Sequence, residues 1–425
     1  AVGLLHTPAR AGDATVSVQP PSIIQPPTAR QVVKGRRKAF YVGVLVTALT
    51  MLIGSGLGVG AYFWFPQQST VHSVASPVVG HAFFVSSGQL SASGIPSIND
   101  ELLIHLSNLR APAPGKVYYG WLLRDKKQLL ATPISLGPLP LKQGTVNFLY
   151  PGVPQHANLL AITSRLLITE EDASSPPMSP APDFSTWRYY AELPQQPDPN
   201  DANHFSQLDH LRRLLAQDPT MVGQKDRYSN LDIWLMEQTG RVLEWANSAR
   251  DYWNEGNTQL MRPQFSRILN YLDGDSNVQA DLPAGMTPPN IAPVALLGPA
   301  VPDLHSPLSA DYLHQVSGHL SAMAQAPGAT AEQRVAIAHI NGELNSVRNW
   351  LEQVRQYAIQ LEQMSDAQLL TQGAMTVMDK MVMQAFYAYV GQLDPSTGEL
   401  QGGVVQINND IERLAAFDVT AYKAE

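Results

Sequence analysis

Residues 117–123 read Val-Tyr-Tyr-Gly-Trp-Leu-Leu, and their alternation decides the first structured region. Val117, Tyr119, Trp121 and Leu123 fall on one side of an extended chain, because successive strand side chains point to opposite faces. The pattern continues in both directions. Upstream, residues 80–85 (GHAFFV) form a short apolar run. In residues 101–107, Leu102, Ile104 and Leu106 share one face, while His105 and Ser107 take the other. Downstream, residues 145–150 and 159–169 extend the pattern. Turn clusters separate these runs at 111–115 (APAPG), Leu139-Pro140 and 151–154 (PGVP). Short strands punctuated by Pro and Gly predict an all-β sandwich over residues 80–172.

Beyond a linker at 173–186, rich in Pro and Ser, the period changes from two to 3.6. Residues 187–425 are expected to form an all-α domain. Phe205, Leu208, Leu211, Leu214 and Leu215 place a helix over 203–217. Ile233, Trp234, Val242, Trp245, Ala249 and Tyr252 place a second over 231–254. Further helices are expected at 258–272, 310–325, 330–364, 367–393 and 404–417. Trp245, Arg250 and Tyr252 have the same spacing as Trp350, Arg355 and Tyr357. The preceding helices carry Asp209-His210-Leu211 and Gly318-His319-Leu320 at matching places. This order predicts a duplicated three-helix unit, one copy at about 203–273 and the other at 310–394, packed side by side.

On the other side of the β region, residues 39–65 (AFYVGVLVTALTMLIGSGLGVGAYFWF) hold no charged residue and exceed the roughly 20 that a helix needs to cross a bilayer. Arg30, Lys34, Arg36, Arg37 and Lys38 precede them, and uncharged 67–70 follow. The charge asymmetry predicts a single transmembrane helix in the cell membrane, with the N-terminus cytoplasmic and the C-terminal domains extracytoplasmic. Residues 1–38, with Pro20-Pro21 and Pro26-Pro27, are expected to be a disordered cytoplasmic tail, and 66–79 a linker. Gly54/Gly58 and Gly56/Gly60 are small-xxx-small pairs, so the Gly54–Gly60 helix face is a candidate contact for protein partners within the membrane.

Composition excludes several function classes. Residues 66–425 carry 22 Lys/Arg against 35 Asp/Glu, which argues against nucleic acid as a partner. The chain has no cysteine, so disulfides, thiolate metal ligands and Cys nucleophiles are ruled out. That absence suits a bacterial cell envelope protein held by its core alone.

His305, His314 and His319 lack the spacing of a helical metal pair, and like His204 and His210 they read as surface or half-buried histidines. Asp273-Gly274-Asp275-Ser276-Asn277 opens like a calcium loop, but Val278 and Ala284 occupy the places of the required Gly and Glu, so a helix-ending turn is the better reading. Glu170-Glu171-Asp172 reads as a solvated strand edge. Trp121, Trp187, Trp234, Trp245 and Trp350 read as core more readily than as a sugar-binding surface. There is no Gly-x-Ser-x-Gly elbow and no phosphate-binding Gly loop. No catalytic, cofactor-binding or metal-ligating residue is assigned, and the protein is expected to be neither an enzyme nor dependent on a cofactor.

The stretch Leu109-Arg110-Ala111-Pro112-Ala113-Pro114-Gly115 leading into Tyr118-Tyr119-Gly120-Trp121-Leu122, the Leu136-Gly137 turn and the closing Thr169-Glu170-Glu171 strand followed by Pro176-Pro177 resemble the extracytoplasmic C-terminal domain of anti-sigma-K factors. The resemblance covers about residues 80–180. It implies a sandwich outside the membrane and a regulatory origin. The expected function is that of a non-enzymatic, membrane-anchored extracytoplasmic binding or sensing protein, for which the resemblance implies an anti-sigma-like regulator. The alternative is an accessory structural subunit of a larger membrane complex.

Overall fold

The computed structural model describes residues 77–90, 97–128, 130–175, 177–181, 184–216, 230–275, 277–292, 294–298 and 311–423. Eleven strands are formed among them: β1 Val78–Val85, β2 Glu101–Leu106, β3 Lys116–Leu123, β4 Ile134–Pro138, β5 Leu141–Lys142, β6 Thr145–Tyr150, β7 Arg165–Asp172, β8 Trp187–Glu192, β9 Gly391–Leu393, β10 Leu400–Gly402 and β11 Phe417–Ala421. The helices are α1 Leu159–Ile162, α2 Gln207–Leu215, α3 Leu231–Asn254, α4 Thr258–Asp273, α5 Tyr312–Gln325, α6 Ala331–Glu362, α7 Asp366–Leu369, α8 Gln372–Val390 and α9 Val404–Leu414.

Nine strands form a single antiparallel sheet in the order β4-β3-β7-β8-β11-β1-β2-β6-β5, while β9 and β10 pair separately as a hairpin. The alternation read from the sequence sets which side chains face the helices. Leu102, Ile104 and Leu106 of β2, Tyr118 and Leu122 of β3, and Leu166 and Ile168 of β7 belong to the same buried cluster as the helix cores. On the other face Trp121, Leu123 and Leu167 are buried under Tyr119, Trp187 and Tyr190. Trp121 Nε1 donates to Thr169 Oγ1 at 3.0 Å, so its one polar atom is satisfied where no water reaches it. Gly80 is needed where β1 meets β2, because a Cβ there would lie 2.1 Å from the His105 carbonyl oxygen.

Helix starts follow side-chain caps. Ser206 and Thr330 form capping boxes with Asp209 and Gln333, and Asp311, Asn257 and Thr371 accept from backbone N–H groups of the first turns of α5, α4 and α8. The helices then interleave: α3 packs on α4 and α8, α6 on α8 and α4, and α2 on α5.

The expected fold class is corrected in three respects. First, no helix among the described residues is long and apolar enough to cross a membrane, so the expected single transmembrane helix is not supported. The segment 39–65, its Gly54–Gly60 face, the tail at 1–38 and most of the linker at 66–79 lie outside the described residues. Second, residues 80–172 do not close a sandwich of their own. Their strands are two groups of one sheet, β4-β3-β7 and β1-β2-β6-β5, joined only through β8 and β11. Third, residues 187–425 are not an all-α domain. They supply β8 and β11, and β11 enters the middle of the sheet directly after α9. The stretches 203–273 and 310–394 pack directly against each other, but they are not part of an all-α domain. In the first stretch α3 packs on α4 and in the second α6 on α8; α3 also packs on α8, α4 on α6 and α2 on α5 across the two, and their buried side chains form one cluster with those of the sheet.

Candidate functional site

An open cleft of about 820 Å³ lies where the end of α4 and the turn after it meet α6. Its wall on α6 is a row of exposed side chains, Asn349, Glu352, Gln353 and Gln356, which repeat at helical spacing and so share one face. Arg348 and Arg355 flank that row. Asp273, Asn277, Ala280, Leu297 and Gly298 make up the opposite side.

Both guanidinium groups are held. Arg348 donates to Asp311 Oδ1 at 2.9 Å. Arg355 Nε donates to Asp273 Oδ1 at 2.6 Å, and its NH2 nitrogen pairs with Asp281 Oδ2. Burial pushes the Asp273 carboxyl up to about 7, with Asp281 adding to the rise and Arg355 opposing it. Asp273 Oδ2 is buried and accepts no hydrogen bond. The cleft thus presents carboxamides and the Glu352 carboxylate to solvent, while Arg348 and Arg355 are locked in bridges to Asp311, Asp273 and Asp281.

A second cluster lies in the N-terminal half of α6. His339 and Glu343, four residues apart, share a helix face, and Asp410 of α9 meets them. One ligand atom from each side chain lies within 4.8 Å of the others. Glu343 is 4% exposed, and its Oε1 accepts from the Gly402 backbone N–H at 3.1 Å. Burial raises its carboxyl above the ordinary range, His339 opposes this and Asp410 adds to it.

The residues singled out in the sequence are placed as follows. His204 and His314 are exposed, and His305 lies outside the described residues. His210 and His319 meet each other. In the turn at 273–277, Asp275 Oδ1 accepts from Asn270 Nδ2 and the Ala292 backbone N–H, and Asn277 Nδ2 donates to the Asp273 carbonyl. These oxygens brace the turn. Glu170 is not at an edge, since β7 runs between β3 and β8. It accepts from the Ala113 backbone N–H at 2.7 Å and from Arg188 Nε at 2.6 Å, anchoring the Pro-rich loop. Tyr118 holds the same loop through a 2.7 Å bond from its hydroxyl to the Arg110 carbonyl. Trp121, Trp234 and Trp350 are buried, whereas Trp187 and Trp245 are half-buried.

The His339/Glu343/Asp410 cluster escaped the sequence reading, which sought histidine pairs. A His and a Glu four apart were available as a signal, but Asp410 is distant in sequence. Comparison with known proteins finds no matching family model, no similar curated protein and no similar solved structure.

Proposed function

We propose that this protein is a non-enzymatic binding protein whose cleft along α6 takes an extended peptide segment of a protein partner. The observation that carries this reading is the row Asn349, Gln353 and Gln356 on one exposed helix face. Each carboxamide offers both a donor and an acceptor, which matches the alternating N–H and C=O groups of an extended backbone. Arg348, Arg355, Asp273 and Asp281 beside the row are tied in ion pairs, so they position the cleft walls. The anti-sigma-K-like motifs at 109–122 and 169–177 favour a regulatory partner within the same reading.

Selection of random peptides on the full chain tests it. Enriched peptides should lose affinity for the Asn349→Ala/Gln353→Ala variant while its thermal stability is kept. Equal binding by that variant, or turnover of ester or glycoside substrates that Asp273→Asn abolishes, would sink the proposal.

A further inference from the structure

We propose that His339, Glu343 and Asp410 form a site for one zinc-class divalent cation that ties α6 to α9. Three side chains of two chemical types converge here, an imidazole and two carboxylates, with ligand atoms within 4.8 Å of one another. In a tetrahedral zinc site, ligand atoms stand about 3.4 Å apart. Closing this cluster around an ion therefore needs side-chain adjustment only. His339 Nε2 is already 3.5 Å from Glu343 Oε1.

The independent observation is Glu343 itself. Its side chain is 5% exposed, and Oε2 is buried with no hydrogen-bond partner. A buried carboxylate oxygen left without a donor is costly, and a cation supplies what the protein does not. The surroundings support Glu343 in that role. Gly402 brings its backbone N–H onto Oε1, an approach that a Cβ at this position would block at 2.3 Å. Asp410 is held by Arg413 NH1 on Oδ1 at 2.8 Å and by Gln406 Nε2 on Oδ2 at 2.9 Å. Each of its oxygens keeps a lone pair for a metal, so these bonds orient the ligand without consuming it.

The donor set selects the ion. Calcium takes six to eight oxygens and magnesium prefers an all-oxygen octahedron, whereas one imidazole with two carboxylates suits zinc. Two carboxylates face the dication, with Arg413 beside Asp410 as a neighbouring cation, and His339, exposed at 66% of its side chain, leaves the site open to ions and to a water as fourth ligand. A cation here fastens α9, and through it β11, to the longest helix among the described residues.

The test uses the full chain stripped with a chelator and titrated with Zn²⁺ by calorimetry, and with Co²⁺ by visible absorption. One ion per chain should bind, with a rise in Tm. His339→Ala and Asp410→Asn should each weaken binding by at least the roughly 10–100-fold that loss of a supporting partner costs at such sites. His339 is exposed, so its variant keeps the fold, and far-UV circular dichroism checks this for both. Absence of saturable binding overturns the proposal. So does saturable binding that both variants leave unchanged, since eleven histidines offer other ligands.

Discussion

His210 of α2 and His319 of α5 face each other with their Nδ1 atoms 2.9 Å apart and their ring centroids 5.2 Å apart. One nitrogen must donate and the other accept, so at least one of the two rings is neutral. Phe205 meets His210 edge-on, and Asp201 Oδ2 stands 3.7 Å from its Nε2. The contact joins the two helices that open the stretches 203–273 and 310–394.

Burial lowers the His210 pKa, against the pull of Asp201 and Asp209. The unfolded chain, at about 6.5, therefore takes up this proton before the folded chain does. Stability from this group is complete above that value and is lost as pH falls through it. Urea midpoints between pH 7.5 and 5.5 should fall less for His210→Gln than for the parent chain. Equal slopes would show that the pair does not titrate as described.

Arg355→Met should destabilise the protein at pH 8 by about 3 kcal/mol, because it strands Asp273 and Asp281 without their shared cation. The sign with pH follows from Asp273. Its folded pKa of about 7 lies above the unfolded value, so the folded chain keeps a proton that the unfolded chain releases. Stability from this group therefore falls as pH rises from about 4 to about 7. At pH 5 Asp273 is protonated, and the loss caused by Arg355→Met should be smaller. Denaturant titrations at the two values check this, and a loss that grows on acidification contradicts it.

Local periodicity made most elements legible. The two-residue period located β2, β3 and β6, and the 3.6-residue period located α3 and α4 within a residue of their ends. What it could not locate is anything decided by pairing between distant segments. Phe417–Ala421 is five residues long and follows directly on a helical pattern, so nothing local distinguishes it from the end of that helix. Only its registers against β1 and β8 make it a central strand. The cleft was half legible for the same reason. Asp273 and Arg355 stood out, but as a turn and as a repeated spacing, while their convergence with Asp281, and that of Arg348 with Asp311, depends on how α4, α5 and α6 cross. Glu343 stood four residues after His339, a weak signal by itself, because its meaning rests on Gly402 and Asp410.

Trp245 and Trp350 have identical sequence spacing, yet their surroundings differ. Trp350 is 6% exposed and packs on Tyr387, whereas Trp245 is half-buried and meets Tyr271 edge-on at 4.5 Å. Trp350→Ala should cost about 3–5 kcal/mol, the usual range for a core aromatic, and Trp245→Ala clearly less. Equal losses in chemical denaturation would mean that exposure does not govern these two sites.

Gly402→Ala should destabilise the metal-free protein by about 1–3 kcal/mol through overpacking. The new Cβ would stand 2.3 Å from Glu343 Oε1 and 2.8 Å from its Cδ, and Gln406 Cβ closes the space at 3.0 Å. Because Glu343 is buried, its carboxylate cannot swing into water, and moving it breaks the bond from the Gly402 N–H. Glu343→Ala removes the obstructing atoms, so the two changes should couple: the double variant should be more stable than the sum of the single losses implies. A double-mutant cycle in chelator, read by urea denaturation, measures this. Additive losses would mean that the glycine serves the hairpin between β9 and β10 alone, and that the carboxylate does not depend on its close approach.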